Sequence, residues 1–209
     1  MDKILDCQPI ALDRPRGAHR LEVFSLKADR RLTLYRQSAL EQWVILEADP
    51  AVTAFCERPG SIQSEGKRYL ADFWVRYFDH QELVILFDSA SEPSVKPDVV
   101  LDNAGLTVRS VRSSEIAASR VWIANWKRML PCLVATRGLV PPSLSGAIER
   151  FVARPHRLLS IEREFTTGDP VLVRAAVFGL LHAGRVQAPE LRVHELSLLT
   201  EFVAVGEVA

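Results

Sequence analysis

Lysine is missing from the almost wholly apolar strand candidate Glu82-Leu-Val-Ile-Leu-Phe-Asp88, and that gap bears on function more than any motif does. Other shortages bound the answer more broadly. The three cysteines, Cys7, Cys56 and Cys132, are odd in number and far apart. They exclude a disulfide framework and a cysteine-based metal knot, and read as reduced thiols. There is no excess charge of either sign, with 26 basic and 26 acidic residues. A chain built to coat nucleic acid is excluded, whereas a local basic face is not. Asp2, Lys3 and Asp6 interrupt any signal-like apolar segment at the start. No run approaches the roughly 20 apolar residues that span a bilayer. The expectation is a cytoplasmic protein with no membrane partner. Repeats and low-complexity tracts are also lacking.

What is present is enough for a sizeable core: 48% of the 209 residues are hydrophobic and 25% charged. Residues 1–20 are polar and punctuated by Pro9, Pro15 and Gly17. They read as an arm bearing Arg14, Arg16, His19 and Arg20, either a solvated tail or a contact to nucleic acid. Leu21–Leu26 reads as a short strand. Ser38–Ala48 has helical spacing, and Asp49-Pro50 ends it because the residue before proline is pushed out of the helical region. Val52–Phe55 and Ser61–Gln63 read as short extended pieces, and Glu65-Gly66 as a turn. Arg68–Tyr77 and Leu83–Phe87 are the clearest strands. The second lacks polar alternation, as a central strand buried on both faces does. Thr107–Val111 reads as a further strand, Ser113-Ser-Glu115 as a helix start and Val121–Leu130 as a helix, with Pro131 and Pro141-Pro142 as punctuation.

Beyond Pro142 the pattern turns helical, over 143–152, 156–165 and 171–182. Asp169 and Pro170 read as the start of the last helix and Gly184 as its closing residue. Residues 185–188 and 198–205 then read as a hairpin. Three short helices and a two-stranded hairpin make a winged-helix-like arrangement. The expected organisation is an arm at 1–20, an α/β domain at 21–140 and a winged-helix-like domain at 141–209.

Metal-assisted cleavage of a phosphodiester needs oxygen ligands for Mg²⁺ and a cation near the attacking water. Glu41, on the first helix, and Asp72, in the strand Tyr69-Leu-Ala-Asp-Phe-Trp-Val75, suit the ligand roles by element type and order. Taken singly, Glu41 also reads as a solvent-facing helix residue. Asp72 also reads as a cap or as the partner of Arg68 or Arg76. Residues 106–138 carry Arg109, Arg112, Arg120, Lys127, Arg128 and Arg137 against Glu115 alone, with Trp122, Asn125 and Trp126 interleaved. The cations suit phosphate contacts. Equally, the tryptophans suit a core and the arginines a solvated helix face.

The run Tyr35-Arg-Gln-Ser-Ala-Leu-Glu41, then Leu46-Glu-Ala-Asp-Pro-Ala-Val52, Phe55-Cys-Glu-Arg-Pro59 and Tyr69-Leu-Ala-Asp-Phe73 resembles the N-terminal domain of TnsA-type transposon endonucleases. The resemblance covers about residues 20–135. It implies a restriction-endonuclease-like mixed sheet with flanking helices, of the PD-(D/E)xK kind, followed by a winged-helix-like domain. It also implies duplex DNA as ligand, Mg²⁺ bound by Glu41 and Asp72 in an active enzyme, and a transposase and an ATPase regulator as partners.

The departures are Arg58 for the family's glutamine, Ala71 for its proline, and Ile85-Leu86-Phe87 where an acid or glutamine, a spacer and a lysine belong. Lys96 in the following loop, or Arg68, would have to replace the missing cation. The expectation is a nuclease fold with impaired catalysis that binds DNA through Arg109, Arg112, Arg120, Asn125, Lys127 and Arg128. An active Mg²⁺ endonuclease with a rearranged site, or a non-catalytic interaction protein, are the alternatives.

Overall fold

The computed structural model describes residues 8–11, 13–64, 66–88, 106–166 and 169–206. The chain is mixed α/β and divides into two compact units, residues 1–47 with 51–118, and residues 48–50 with 119–209. The punctuation at Pro141-Pro142 suggested a change of unit there. The contacts set it at Ser119, because the helix that follows packs with the C-terminal helices. Among the described residues no helix is long and apolar enough to cross a membrane.

The first unit begins with an antiparallel pair, β1 (Leu21–Ser25) and β2 (Arg30–Leu34). β2 is absent from the sequence reading, although Leu32 and Leu34 alternate inward. Helix α1 (Gln37–Ala48) ends at Asp49-Pro50 as expected. Its Glu47 is fully buried and anchors the β1–β2 turn. Ser25 Oγ donates to one carboxylate oxygen at 2.6 Å, and the Leu26 and Lys27 N–H groups donate to the other at 3.1 and 3.0 Å.

A four-stranded sheet runs in the order β3 (Ala54–Glu57), β6 (Phe73–Arg76), β7 (Gln81–Phe87), β8 (Leu106–Arg112). The first two pairings are antiparallel and β7–β8 is parallel. The hairpin β4 (Ser61–Ser64) and β5 (Lys67–Leu70) is inserted between β3 and β6. Residues 83–87 are all buried, which is why β7 carries no polar alternation. On one face Cys56, Trp74, Leu83, Ile85 and Phe87 pack with Ile62 of the hairpin. Phe55, Phe73, Val75 and Val84 are buried on the other. Helix α2 (Ser113–Ala118) follows β8.

Arg68–Tyr77 reads as one strand in sequence but is two. The chain leaves the hairpin at Ala71, whose N–H bonds Gly60, and enters the main sheet at Asp72, whose N–H bonds Val84. Asp72 therefore sits at a strand start rather than inside a strand, where aspartate is disfavoured.

In the second unit, α3 (Arg120–Ala135) continues through Pro131 instead of stopping there. Trp126, Met129 and Leu130 before it and Leu133 after it bury one continuous face, which outweighs the bond lost at the proline. Then come α4 (Pro142–Phe151), β9 (His156–Arg157), α5 (Leu158–Phe165), α6 (Val171–His182), β10 (Val186–Gln187), a 3-10 helix at Pro189–Arg192 and β11 (Glu201–Ala204). The strands form one antiparallel sheet in the order β10-β11-β9, so the expected hairpin has a third strand.

Asp169 accepts the Val171 N–H at 2.9 Å, Pro170 is already α-helical in φ and ψ, and Gly184 closes α6 at φ +71°. Seven residues of α6, at 173, 175–178, 180 and 181, are buried against α3, α4 and α5.

Candidate functional site

Asp72 is held by its backbone before its side chain does anything. Its N–H donates to Val84 and its carbonyl accepts from Arg58, both at 2.8 Å. That clamp directs the carboxylate along the end of β7, where Oδ2 accepts the Leu86 N–H at 2.7 Å. Oδ1 takes an ion pair from Arg36, which stands just ahead of α1. The same guanidinium donates to Asp88 at 3.3 Å and to the Leu86 carbonyl at 3.4 Å. A cation does sit beside the strand aspartate, but it is Arg36 and not a strand lysine.

Burial pushes the Asp72 carboxyl above the ordinary aspartate range, against the pull of Arg36 and the Leu86 N–H. Burial works to lower the Arg36 pKa, yet Asp72 and Asp88 outweigh it and the guanidinium holds its proton more firmly than usual. Two donors on the Asp72 oxygens, the Arg36 guanidinium and the Leu86 N–H, favour the charged carboxylate, and the pair is ionic at neutral pH.

This pair opens on a cavity of about 620 Å³ lined also by Glu57, Arg58, Lys67, Tyr69 and Phe87. Glu57 is buried and gripped in bidentate fashion by Arg30 at 2.8 and 2.5 Å. Arg58, at φ +48°, donates to the Thr33 carbonyl at 2.6 Å and to the Ile10 carbonyl at 3.1 Å, and so ties residue 10 of the expected arm to the sheet. Phe87 packs edge-on against Tyr69 at 6.5 Å. Cations and acids lining the cavity balance: Arg36, Arg58 and Lys67 face Glu57, Asp72 and Asp88.

Glu41 is not in this lining. Ala39 of the same helix is, and Glu41 lies about 200° further round α1, where its Oε1 accepts the Gln37 side-chain amide at 2.7 Å. The two carboxylates expected to share a metal therefore do not converge on one cavity. The Asp72 oxygens already hold a guanidinium and an N–H, and among the described residues no group of three acids, histidines or cysteines is placed to hold a metal ion. Lys96 lies outside the described residues. Lys67 and Tyr69 line the cavity, and strand alternation turns Arg68 to the other side. Sequence reasoning missed Arg36 and Lys67. The alternation of β5 signals Lys67, but nothing local signals that Arg36 meets a residue 36 positions on.

The residues expected to touch DNA fall into distinct groups. In the first unit, Arg109 and Arg112 are exposed, but their odd separation along β8 turns them to opposite faces. Arg109 lies 3.8 Å from Glu82. In the second unit, Arg120 and Lys127 are seven residues apart on one exposed stripe of α3, while Arg128 lines a separate groove.

Asn125 is not a DNA contact. It is buried, its amide donates to the Leu191 and His194 carbonyls, and its oxygen accepts the Leu196 N–H, all at 2.8 Å. Trp126 is fully buried, and Trp122 packs edge-on against it with the Arg192 guanidinium 4.7 Å over its ring. Helix α6 packs against α3, α4 and α5, and seven of its twelve residues are buried. No protein-family model matches the sequence, and no curated protein matches it significantly.

Proposed function

We propose that this chain is a nuclease-fold protein that holds duplex DNA without cutting it by the metal-assisted route, in the role of a TnsA-like subunit of DNA transposition. The observation that carries the reading is the Arg36 guanidinium seated on Asp72, in the place where a metal ligand would have to be open. A monovalent, fully protonated group cannot ionise a bound water as a divalent ion does, so the pair orders the sheet end and activates no nucleophile. Two orders of elements support the fold assignments. In the first unit, α1, the meander β3-β6-β7 and the parallel strand β8 follow the restriction-endonuclease-like order. In the second, α3 is followed by α4, β9, α5, α6, β10, the 3-10 helix and β11; the run from α4 onward, with sheet order β10-β11-β9, is the order expected of a winged helix. Arg120 and Lys127 supply phosphate contacts on α3, and Arg109 and Arg112 offer others on β8. The transposase and the ATPase regulator of such a system are its proposed partners.

Supercoiled plasmid incubated with the protein and Mg²⁺ or Mn²⁺ should stay intact. Nicking that disappears in Glu41→Ala/Asp72→Ala would establish the active-endonuclease reading instead. Duplex binding should weaken with salt, and Arg120→Ala/Lys127→Ala should reduce the salt slope by about 2. Absence of salt-sensitive duplex binding by the unaltered protein would leave the non-catalytic interaction protein as the surviving reading.

A further inference from the structure

A second cavity, of about 510 Å³, lies wholly within the second unit, among α3, α5, α6 and residues 196–198. Its floor is apolar, with Leu158 and Phe178 buried. At its edge Val171 and Leu198 remain 41% and 42% exposed, and their chain neighbours Leu172 and Leu199 are exposed as well. Large apolar side chains gathered at one concave place, rather than scattered, mark a contact surface. Two arginines line the groove. Arg174 is neutralised by Glu162, with contacts at 2.5 and 3.3 Å. Arg128 is exposed and pairs with no acid among the described residues. Among the described residues the groove is therefore apolar with one uncompensated positive charge.

The rim decides what form of partner fits. The Leu196 N–H is taken by Asn125, the Ser197 N–H by Thr200 Oγ1, the Leu199 N–H by Ser197 Oγ and the Leu198 carbonyl by the Leu159 N–H. With these backbone groups satisfied, little of the rim is left to which an extended peptide could add as a strand. Recognition falls to side chains, and the occupant must satisfy its own backbone, as a helix does. We infer that this groove docks an amphipathic helix of a partner protein, which buries apolar side chains over Phe178 and Leu158 and sets a carboxylate against Arg128. The inference is independent of the nuclease reading, which concerns the first unit and the Arg120 stripe.

The test uses the full chain and two fluorescein-labelled helical peptides of about 18 residues, with leucines at i, i+3/i+4 and i+7. One carries glutamates beside the leucines and the other lysines. At low salt the glutamate peptide should bind about ten-fold more tightly than the lysine peptide, and Arg128→Glu should reverse the preference. Leu198→Asp should weaken binding of the glutamate peptide about ten-fold while leaving the circular dichroism unchanged.

Four outcomes would overturn the inference. The first is no binding of either peptide at about 500 µM. The second is an unchanged preference in Arg128→Glu. The third is an Arg128→Glu variant that loses duplex DNA affinity but keeps the peptide preference, which would make the arginine a phosphate contact. The fourth is dimeric sedimentation of the chain abolished by Leu198→Asp, which would make the occupant a second copy.

Discussion

Removing Arg36 should destabilise the first unit in a pH-dependent way. The Asp72 side chain is 14% exposed and Arg36 40% exposed. Breaking a fully buried pair costs about 3–5 kcal/mol, and solvent screening at Arg36 reduces that. Asp72 also keeps its Leu86 N–H bond. Together these place Arg36→Ala at about 1–2 kcal/mol near neutral pH.

The sign with pH follows from burial. Asp72 already has a raised carboxyl, and loss of the cation raises it further. A group with a raised folded pKa contributes stability that is complete below its unfolded value, near 3.8, and is lost as pH rises through the folded value. Arg36→Ala should therefore lie closer to the unaltered protein below that pH than at pH 7. Urea unfolding of Arg36→Ala, Asp72→Asn and the double variant at both pH values measures the effect. A coupling below about 0.3 kcal/mol at pH 7, within ordinary additivity, would refute the pairing and with it the account of the site.

Asn125→Ala would leave two carbonyls and one N–H without their partner inside the second unit, and should cost about 2–4 kcal/mol in unfolding experiments, with duplex affinity per folded molecule unchanged. Gly184→Ala places a Cβ 2.7 Å from Pro50 Cβ at φ +71°, so it should cost about 1–3 kcal/mol and lower the melting temperature. His80 is stacked on Tyr77 at 4.5 Å, and the hydrogen bond its ring donates to the Asp79 carboxylate raises it above the usual histidine value. Nuclear magnetic resonance should show it titrating above 6.5, and Asp79→Asn should bring it back toward that value.

Features set by local chemistry were legible. The wholly apolar run 83–87 announced a strand covered on both sides, Asp49-Pro50 stopped α1, and Asp169, Pro170 and Gly184 framed α6. Features that depend on a distant neighbour were not. Pro131 looks like a helix stop until its flanking residues are seen buried along one face. Asn125 sits among arginines in the chain and reads as a polar contact, but its three partners lie 66 to 71 residues away. The break at Ala71–Asp72 is hidden because strand-forming residues flank it on both sides.

Composition and order alone determined the mixed α/β character, the central apolar strand, the helical second half and the absence of a lysine from residues 82–88. Those properties are additive along the chain, and residue type carries them directly. Only the tertiary structure decided that Arg36 covers Asp72, that Glu41 turns away from the cavity and that α6 is enclosed by helices. A side chain's partner is chosen by packing across the fold, where the desolvation of a charge must be met by whatever opposite group the backbone happens to bring within reach.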